Sequence, residues 1–223
     1  SMVTLYIVAT PIGNLEDITL RALRVLAEVD VIFCEDTRTT RVLLEKYKIK
    51  TATESFHAQS PLSKMDHIAD LLENGKNLAL VSDAGTPGIS DPGMFLTAEI
   101  RKRLPNTAVV AIPGPSALTA AISIAGKPLH EFVFLGFLPH KKGRQTIFEE
   151  IKASDRPYVF YESPHRIEKT LKSLYHCGKT VTILRELTKI YESYVSGTAE
   201  EVLKTFHDNP ETLRGEFVVI VNN

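Results

Sequence analysis

Apolar, β-branched runs alternate with helical periodicity from one end of this 223-residue chain to the other, and that alternation limits the fold more than any other feature. Parallel strands need a crossover connection long enough to hold a helix, so strands alternating with helices imply an α/β fold with a mainly parallel sheet. In the first half the strand runs are 5–9, 29–34, 77–82 and 107–112. Between them, 18–28 places Arg21, Arg24 and Glu28 on one polar stripe, with Leu23, Leu26 and Ala27 away from it. Leu62, Met65, Ile68, Ala69 and Leu72 also recur at helical spacing. Ser60-Pro61 is expected to open that second helix as cap and first-turn proline, and Asn74-Gly75 to close it. The run Leu78-Ala79-Leu80-Val81 is apolar throughout, as expected of a strand covered on both faces.

The second half changes texture. Strand runs fall at 132–137, 158–161, 180–184, 191–196 and 216–221, with helices at 145–153, 165–176 and 199–207. The run 191–196 follows its predecessor too closely for a helical crossover, so an antiparallel pair is predicted there. The expected fold class is α/β with two α/β domains, residues 2–116 and 117–223, the first mainly parallel and the second with a mixed sheet. A helix is expected to bridge the boundary region 113–126. The sequence has neither an internal repeat nor a low-complexity segment.

Composition narrows the function. At 43% apolar and 24% charged, the chain buries a core without metal or disulfide staples. Cys34 and Cys177 form no C-x-x-C, so no metal site is expected, and a reducing cytoplasm is the simplest setting. No run approaches the ~20 apolar residues of a membrane helix, and the N-terminus carries no signal segment. No membrane partner is therefore expected. Ser1 before Met2 reads as a cloning remnant. A net charge of -1 excludes a coat-like nucleic-acid binder but not a local basic face. Arg101-Lys102-Arg103 and Lys141-Lys142-Gly143-Arg144 concentrate positive charge; both read equally well as solvated helix ends or as anion contacts.

In open α/β sheets, ligands bind beyond the carboxyl ends of the strands, which makes four loops the site candidates. Ala9-Thr10-Pro11-Ile12-Gly13-Asn14-Leu15 follows the first strand but has Thr10-Pro11 where a dinucleotide-binding turn has glycines. Residues 82–93 hold three glycines and two prolines, which fix a shaped backbone; no Gly-Lys-Ser/Thr follows, so this is not a P-loop. Ile112-Pro113-Gly114-Pro115-Ser116 leads into a small-residue helix over 117–125. In Tyr161-Glu162-Ser163-Pro164-His165-Arg166, Ser163 is expected to cap and Pro164 to start the next helix, with Glu162, His165 and Arg166 projecting where strand meets helix. Arg185-Glu186-Leu187-Thr188-Lys189 repeats that chemistry.

Taken in order, these loops resemble the tetrapyrrole-methylase family, and within it the branch that methylates small-subunit ribosomal RNA. Cys34-Glu35-Asp36-Thr37-Arg38, Phe134-Leu135-Gly136-Phe137-Leu138-Pro139 and Gly215-Glu216-Phe217-Val218 extend the match over almost the whole chain. The resemblance implies S-adenosylmethionine bound in a cleft between two α/β domains, a homodimer, and methylation of the 2′-hydroxyl of a cytidine in 16S ribosomal RNA, naked or in the assembled small subunit. It carries the cofactor contacts onto Pro11, Ser82, Asp83, Ala84, Gly85, Ile89, Pro113, Gly114, Pro115, Ser116 and Leu187. Members often continue with a small helical region past the last strand. This sequence stops at Asn223, as expected of a truncated or short member, which bears on how much RNA contact it makes.

A methyl sulfonium is already electrophilic, so the protein's work is alignment. A ribose hydroxyl needs a base or an oxyanion-stabilising cation within hydrogen-bond reach. Glu35, Asp36, Glu162 and His165 are the candidate bases, and Glu162, His165 and Arg166 form the favoured catalytic group. Arg38, Arg166 and Arg185 suit phosphate or oxyanion, and Lys141, Lys142 and Arg144, with Arg38, are the expected RNA contacts. Two rival readings stand beside this one. A tetrapyrrole-precursor C-methyltransferase would keep fold and cofactor, although such relatives carry a glycine-rich turn where Thr10-Pro11 stands. A non-catalytic cofactor-sensing module would bind without transfer.

Overall fold

The structure, a computed structural model, describes residues 2–223; Ser1, the residue read as a remnant, lies outside the described residues. The chain divides into two compact units, Ser1–Ser116 and Ala117–Asn223.

The first unit is a five-stranded sheet in the order β3-β2-β4-β1-β5, with β1 Thr4–Val8, β2 Val31–Cys34, β3 Ala52–Ser55, β4 Leu78–Leu80 and β5 Ala108–Ile112. Every pairing is parallel. Strand residues alternate between two cores. Val8, Ile32, Cys34, Ala79 and Val81 pack with Ala22, Val25 and Leu26 of α1 (Leu20–Glu28) and with Leu43 and Leu44 of α2 (Thr37–Lys46). Leu5, Phe33, Leu78 and Leu80 pack with Met65, Ile68 and Leu72 of α3 (Leu62–Glu73) and with Leu96 and Ile100 of α4 (Gly93–Arg103). All of Leu78, Ala79, Leu80 and Val81 are buried, because helices cover both faces of the sheet. Asn77, just ahead of β4, reaches both neighbours. Its Oδ1 accepts from Thr4 N (2.9 Å), its N–H donates to Asp30 Oδ2 (2.8 Å), and its carbonyl accepts from Asp30 N (2.8 Å).

The second unit orders β6-β7-β10-β8-β9, with β6 Val133–Phe137, β7 Tyr158–Glu162, β8 Thr180–Arg185, β9 Ser193–Gly197 and β10 Phe217–Asn222. β6 and β7 are parallel, and every other pair is antiparallel, including the predicted β8–β9 pair. One core joins Phe160, Val181, Ile183, Phe217, Val219 and Val221 to Phe148 and Ile151 of α6 (Arg144–Ala153), Ile167 and Leu171 of α7 (Ile167–Ser173), and Val202 and Phe206 of α8 (Ala199–Asp208). The apolar helix α5 (Ala117–Ile124) lies against β10. α8 starts with a capping box: Thr198 Oγ1 accepts from Glu201 N, and Glu201 Oε2 accepts from Thr198 N.

Two helix starts differ from expectation. Ser60 does not cap α3: its hydroxyl is taken by His57 N–H (2.9 Å), and Pro61 itself occupies the cap position. Nor does Ser163 cap α7. Its carbonyl accepts from both Arg166 N and Ile167 N (3.1 Å each), closing a turn over 163–166 that delays the helix to Ile167. In both cases a serine–proline pair that reads as a helix start builds the turn before the helix instead.

Candidate functional site

In the first unit, the loops after β1, β4 and β5 are knitted together by main chain and by short hydroxyl side chains. Ala9 N donates to Ile112 O (3.2 Å), and Thr10 and Gly85 exchange two backbone hydrogen bonds (3.0 and 2.9 Å). Thr10 Oγ1 donates to Ser82 O (3.3 Å), Ser82 Oγ to Ala84 O and Gly85 O (3.0 and 3.1 Å), and Thr86 Oγ1 to Pro115 O (3.0 Å). Gly85 stands at φ +80, a region other residues rarely adopt. A β-carbon on Gly114 would lie 2.9 Å from Ala9 Cβ, so only glycine lets these two loops approach so closely. Asp91 staples the long loop to itself, with Oδ1 accepting from Gly88 N and Gly93 N (2.8 Å each). Pro11, Ser82 and Gly85 are buried in this knot, whereas Asp83, Ala84, Ile89, Pro113 and Gly114 present their surfaces to solvent, and Pro115 and Ser116 are half-buried.

The loop after β2 joins the same group, since Asp36 N donates to Asp83 Oδ1 (3.1 Å). Asp36 caps α2 through Arg38 N (2.9 Å) and also receives Arg38 Nε and Nη2 (3.1 and 2.9 Å). These bonds from Arg38 hold the Asp36 carboxyl down at about 2. Asp36 therefore stays a carboxylate engaged with its own helix, and Arg38, expected on RNA, is exposed but already paired with it. Its neighbour Glu35 moves the other way: burial, then the charges of Asp83 and Asp91, push its pKa up, against a smaller pull from His57. Of the two, Glu35 is the better proton acceptor.

In the second unit, Glu162 ends β7 buried and fully engaged. Oε2 accepts from Thr170 Oγ1 (2.5 Å) and Arg144 Nη2 (3.2 Å), and Oε1 accepts from Ser163 N (2.9 Å). Arg144 also donates to Thr170 Oγ1 (2.6 Å) and Pro139 O (3.2 Å) and lies over the Phe148 ring, 5.1 Å from its centroid. The basic run 141–144 is therefore split: Lys141 and Lys142 are exposed, while the Arg144 side chain turns inward and is only 14% exposed. His165 is exposed, and Arg166 Nη2 lies 3.2 Å from His140 Nε2. Arg185 is buried as well, donating to Arg214 O (2.7 Å) and Tyr191 O (3.1 Å). Beyond it, Glu186 and Thr188 both hold positive φ. Glu186 Oε1 accepts from Glu216 N (2.7 Å), and Lys189 Nζ bridges Glu186 (3.3 Å) and Glu216 (2.8 Å). Leu187 is buried, and Thr188 Oγ1 is buried without a hydrogen-bond partner.

Sequence reasoning missed Thr86, Asp91 and Thr170. Asp91 was the most findable, because an Asp spaced by two and three residues from glycines is an Asx-turn signal. Among the described residues, no group of three or more His, Cys, Asp or Glu is arranged to hold a metal ion, and no helix is long and apolar enough to cross a membrane.

A parallel sheet with shaped strand-end loops, followed by a mixed sheet, is the architecture of a methylase class. The family profile of Tetrapyrrole (Corrin/Porphyrin) Methylases matches residues 4–203, and the chain belongs to that family. Along the sequence it is 43% identical over 220 residues to the ribosomal RNA small subunit methyltransferase I of Thermotoga maritima, covering 98% of this chain and 97% of that protein. To the protein of the same name from Halalkalibacterium halodurans it is 45% identical, covering 98% of this chain and 75% of the relative. Among solved structures, the uroporphyrin-III C-methyltransferase of Thermus thermophilus, complexed with S-adenosyl homocysteine, shares the fold. Its TM-score is 0.66 at 17% identity, over 99% of this chain and 97% of that one.

Proposed function

We propose that this chain is an S-adenosylmethionine-dependent methyltransferase acting on the 2′-hydroxyl of a cytidine in small-subunit ribosomal RNA. The observation that carries the reading is the two-way Thr10–Gly85 bridge between the loops after β1 and β4, which the bonds from Ala9 N to Ile112 O and from Thr86 Oγ1 to Pro115 O extend to the loop after β5; the relatives named ribosomal RNA small subunit methyltransferase I supply the substrate class. The residues present fit a nucleoside with a charged sulfur. In the first unit, Gly114 allows the loops to pack closely and Asp83, Ala84 and Pro113 are exposed around them; in the second, Thr188 Oγ1 is a buried hydroxyl without a partner next to Leu187. In this reading Pro11, residues 82–85, Ile89 and residues 113–116 are the cofactor contacts of the first unit, and Leu187 is that of the second. When bound, the cofactor supplies an electrophilic methyl group that needs no metal.

The chain's own residues bind, orient and handle the proton. His165 accepts the 2′-hydroxyl proton on a ring nitrogen, and Arg166 stabilises the developing oxyanion. Glu162 acts on them as a positioning residue, through its hold on Ser163 N–H and thus on the turn that carries both. Lys141 and Lys142 hold RNA phosphates through a salt-sensitive attraction, on an unpaired, splayed segment whose ribose is reachable. The protein works in the cytoplasm as a homodimer, a state that sedimentation tests directly.

To test the reaction, purified chain with methyl-labelled S-adenosylmethionine is offered assembled small subunits, naked small-subunit RNA or a porphyrinogen. Label in a cytidine ribose is expected. Label in the porphyrinogen alone, or cofactor binding without transfer to any acceptor, overturns the reading.

A further inference from the structure

The carboxyl end of β3 opens into a cavity of about 320 Å³ whose walls include His57, Lys64, His67 and the hydroxyls of Ser55, Ser60 and Ser63. All six of these side chains can donate a hydrogen bond, and no carboxylate lines the cavity. That is an uneven distribution for a chain with 27 acidic and 26 basic side chains. The nearest acid, Glu54, fixes the cationic wall instead. Its carboxylate receives Lys64 Nζ (2.7 Å) and His67 Nε2 (3.1 Å), while Lys64 lies 5.4 Å from the Phe33 ring centroid. Two of the three ammonium protons remain for a ligand.

The cavity is adjacent to the strand-end knot on the same edge of the sheet. Phe56 N donates to Cys34 O (2.8 Å), so the chain leaving β3 still runs beside the end of β2, and the charge of His57 reaches Glu35. A donor-rich, carboxylate-free recess with two imidazoles in its walls suits an oxyanion joined to a flat ring: a phosphate with its nucleotide.

We infer that the cavity bounded by His57, Lys64 and His67 is a subsite for one nucleotide of the single-stranded RNA substrate, holding its backbone phosphate. This rests on the ribosomal RNA reading above and adds a contact on the first unit, separate from Lys141 and Lys142 on the second.

The test has two arms, both on the full chain. In the first, inorganic phosphate is titrated while the histidine ring signals are followed by NMR; His57 and His67 shift and His207, on α8, does not. In the second, affinity for a fluorescent single-stranded RNA of small-subunit sequence is measured across salt concentrations. His57→Gln with His67→Gln weakens binding about tenfold, and Lys64→Gln lowers the salt slope by about 0.7, the share of one phosphate contact on a single strand. Glu54→Gln, which frees Lys64, tightens binding, and Glu73→Gln at the far end of α3 does not. Calorimetry with S-adenosylmethionine is unchanged in all four variants and confirms folding. Ring signals that ignore phosphate overturn the inference, as do RNA affinities that ignore the three cavity variants while phosphate still binds. Wild-type chain that neither binds nor methylates small-subunit RNA overturns the parent reading. Wild-type chain that does both, with unaffected cavity variants, overturns this subsite alone.

Discussion

The strand ends of the two units are fastened by different chemistry. In the first, Thr10, Gly85, Ser82, Thr86 and Asp91 hold the loops mostly through bonds to main chain, with glycine allowing close approach at Gly114. In the second, a buried carboxylate and a nearly buried guanidinium face each other at Glu162 and Arg144, and Lys189 ties Glu186 to Glu216. Backbone bonds and small residues give a surface of fixed shape with few charges, which suits a ligand recognised by its outline. Buried ion pairs place polar side chains at chosen points but leave a costly orphan when one partner is lost. The contrast predicts that the first unit is sensitive to added volume and the second to lost charge.

The largest test is Arg144→Met, which strands the Glu162 carboxylate without its cation. Guanidinium unfolding should show the second unit losing about 3–5 kcal/mol; a loss below about 1 kcal/mol would dissolve the contrast. Gly114→Ala adds one carbon 2.9 Å from Ala9 Cβ and should cost about 1–3 kcal/mol by overpacking, with weaker S-adenosylmethionine binding by calorimetry. Asp91→Ala removes the shared acceptor of Gly88 N and Gly93 N and should cost about 1 kcal/mol; Asp91→Asn should recover most of it.

The smallest effect has the opposite sign. Glu35 has a raised pKa, so its folded form favours the proton. Its contribution to stability is fully present below the ordinary glutamate range and is lost as pH rises through the raised value. Glu35→Gln should therefore raise the melting temperature at pH 7–8, and the gain should vanish near pH 4. A gain that persists into acid would show that the burial of the Glu35 charge, with the charges of Asp83 and Asp91 beside it, is not its cause.

Much of this architecture was readable in the chain because periodicity is local. Nine strands and the antiparallel β8–β9 pair follow from apolar runs and their spacing. β3 was unreadable for a physical reason: Thr-Ala-Thr-Glu-Ser at 51–55 carries no apolar run, and an edge strand paired on one side only does not need one. The serine–proline pairs at 60–61 and 163–164 were misread because cap and turn share the same residues, and only the partner of the serine tells them apart. The strand-end loops stood out by their proline and glycine content. The inward turn of Arg144 did not, since nothing in Lys-Lys-Gly-Arg says that the last cation meets a carboxylate 18 residues further on. A glutamate at the end of an apolar strand was the available hint, because a buried acid demands a partner.

Asn77 carries a consequence for assembly of the first sheet. A centre strand that is greasy on both sides can slide by one position without exposing anything polar, so hydrophobicity alone does not index it. Asn77 supplies that index, clasping the leads of both adjacent strands before Leu78 begins. A misaligned β4 would carry Ser82 away from Thr10 and disassemble the strand-end surface proposed to hold the cofactor while leaving the core well filled. The Asn77 amide on one side and the Asp30 carboxylate on the other thus fix an alignment on which the strand-end loops depend.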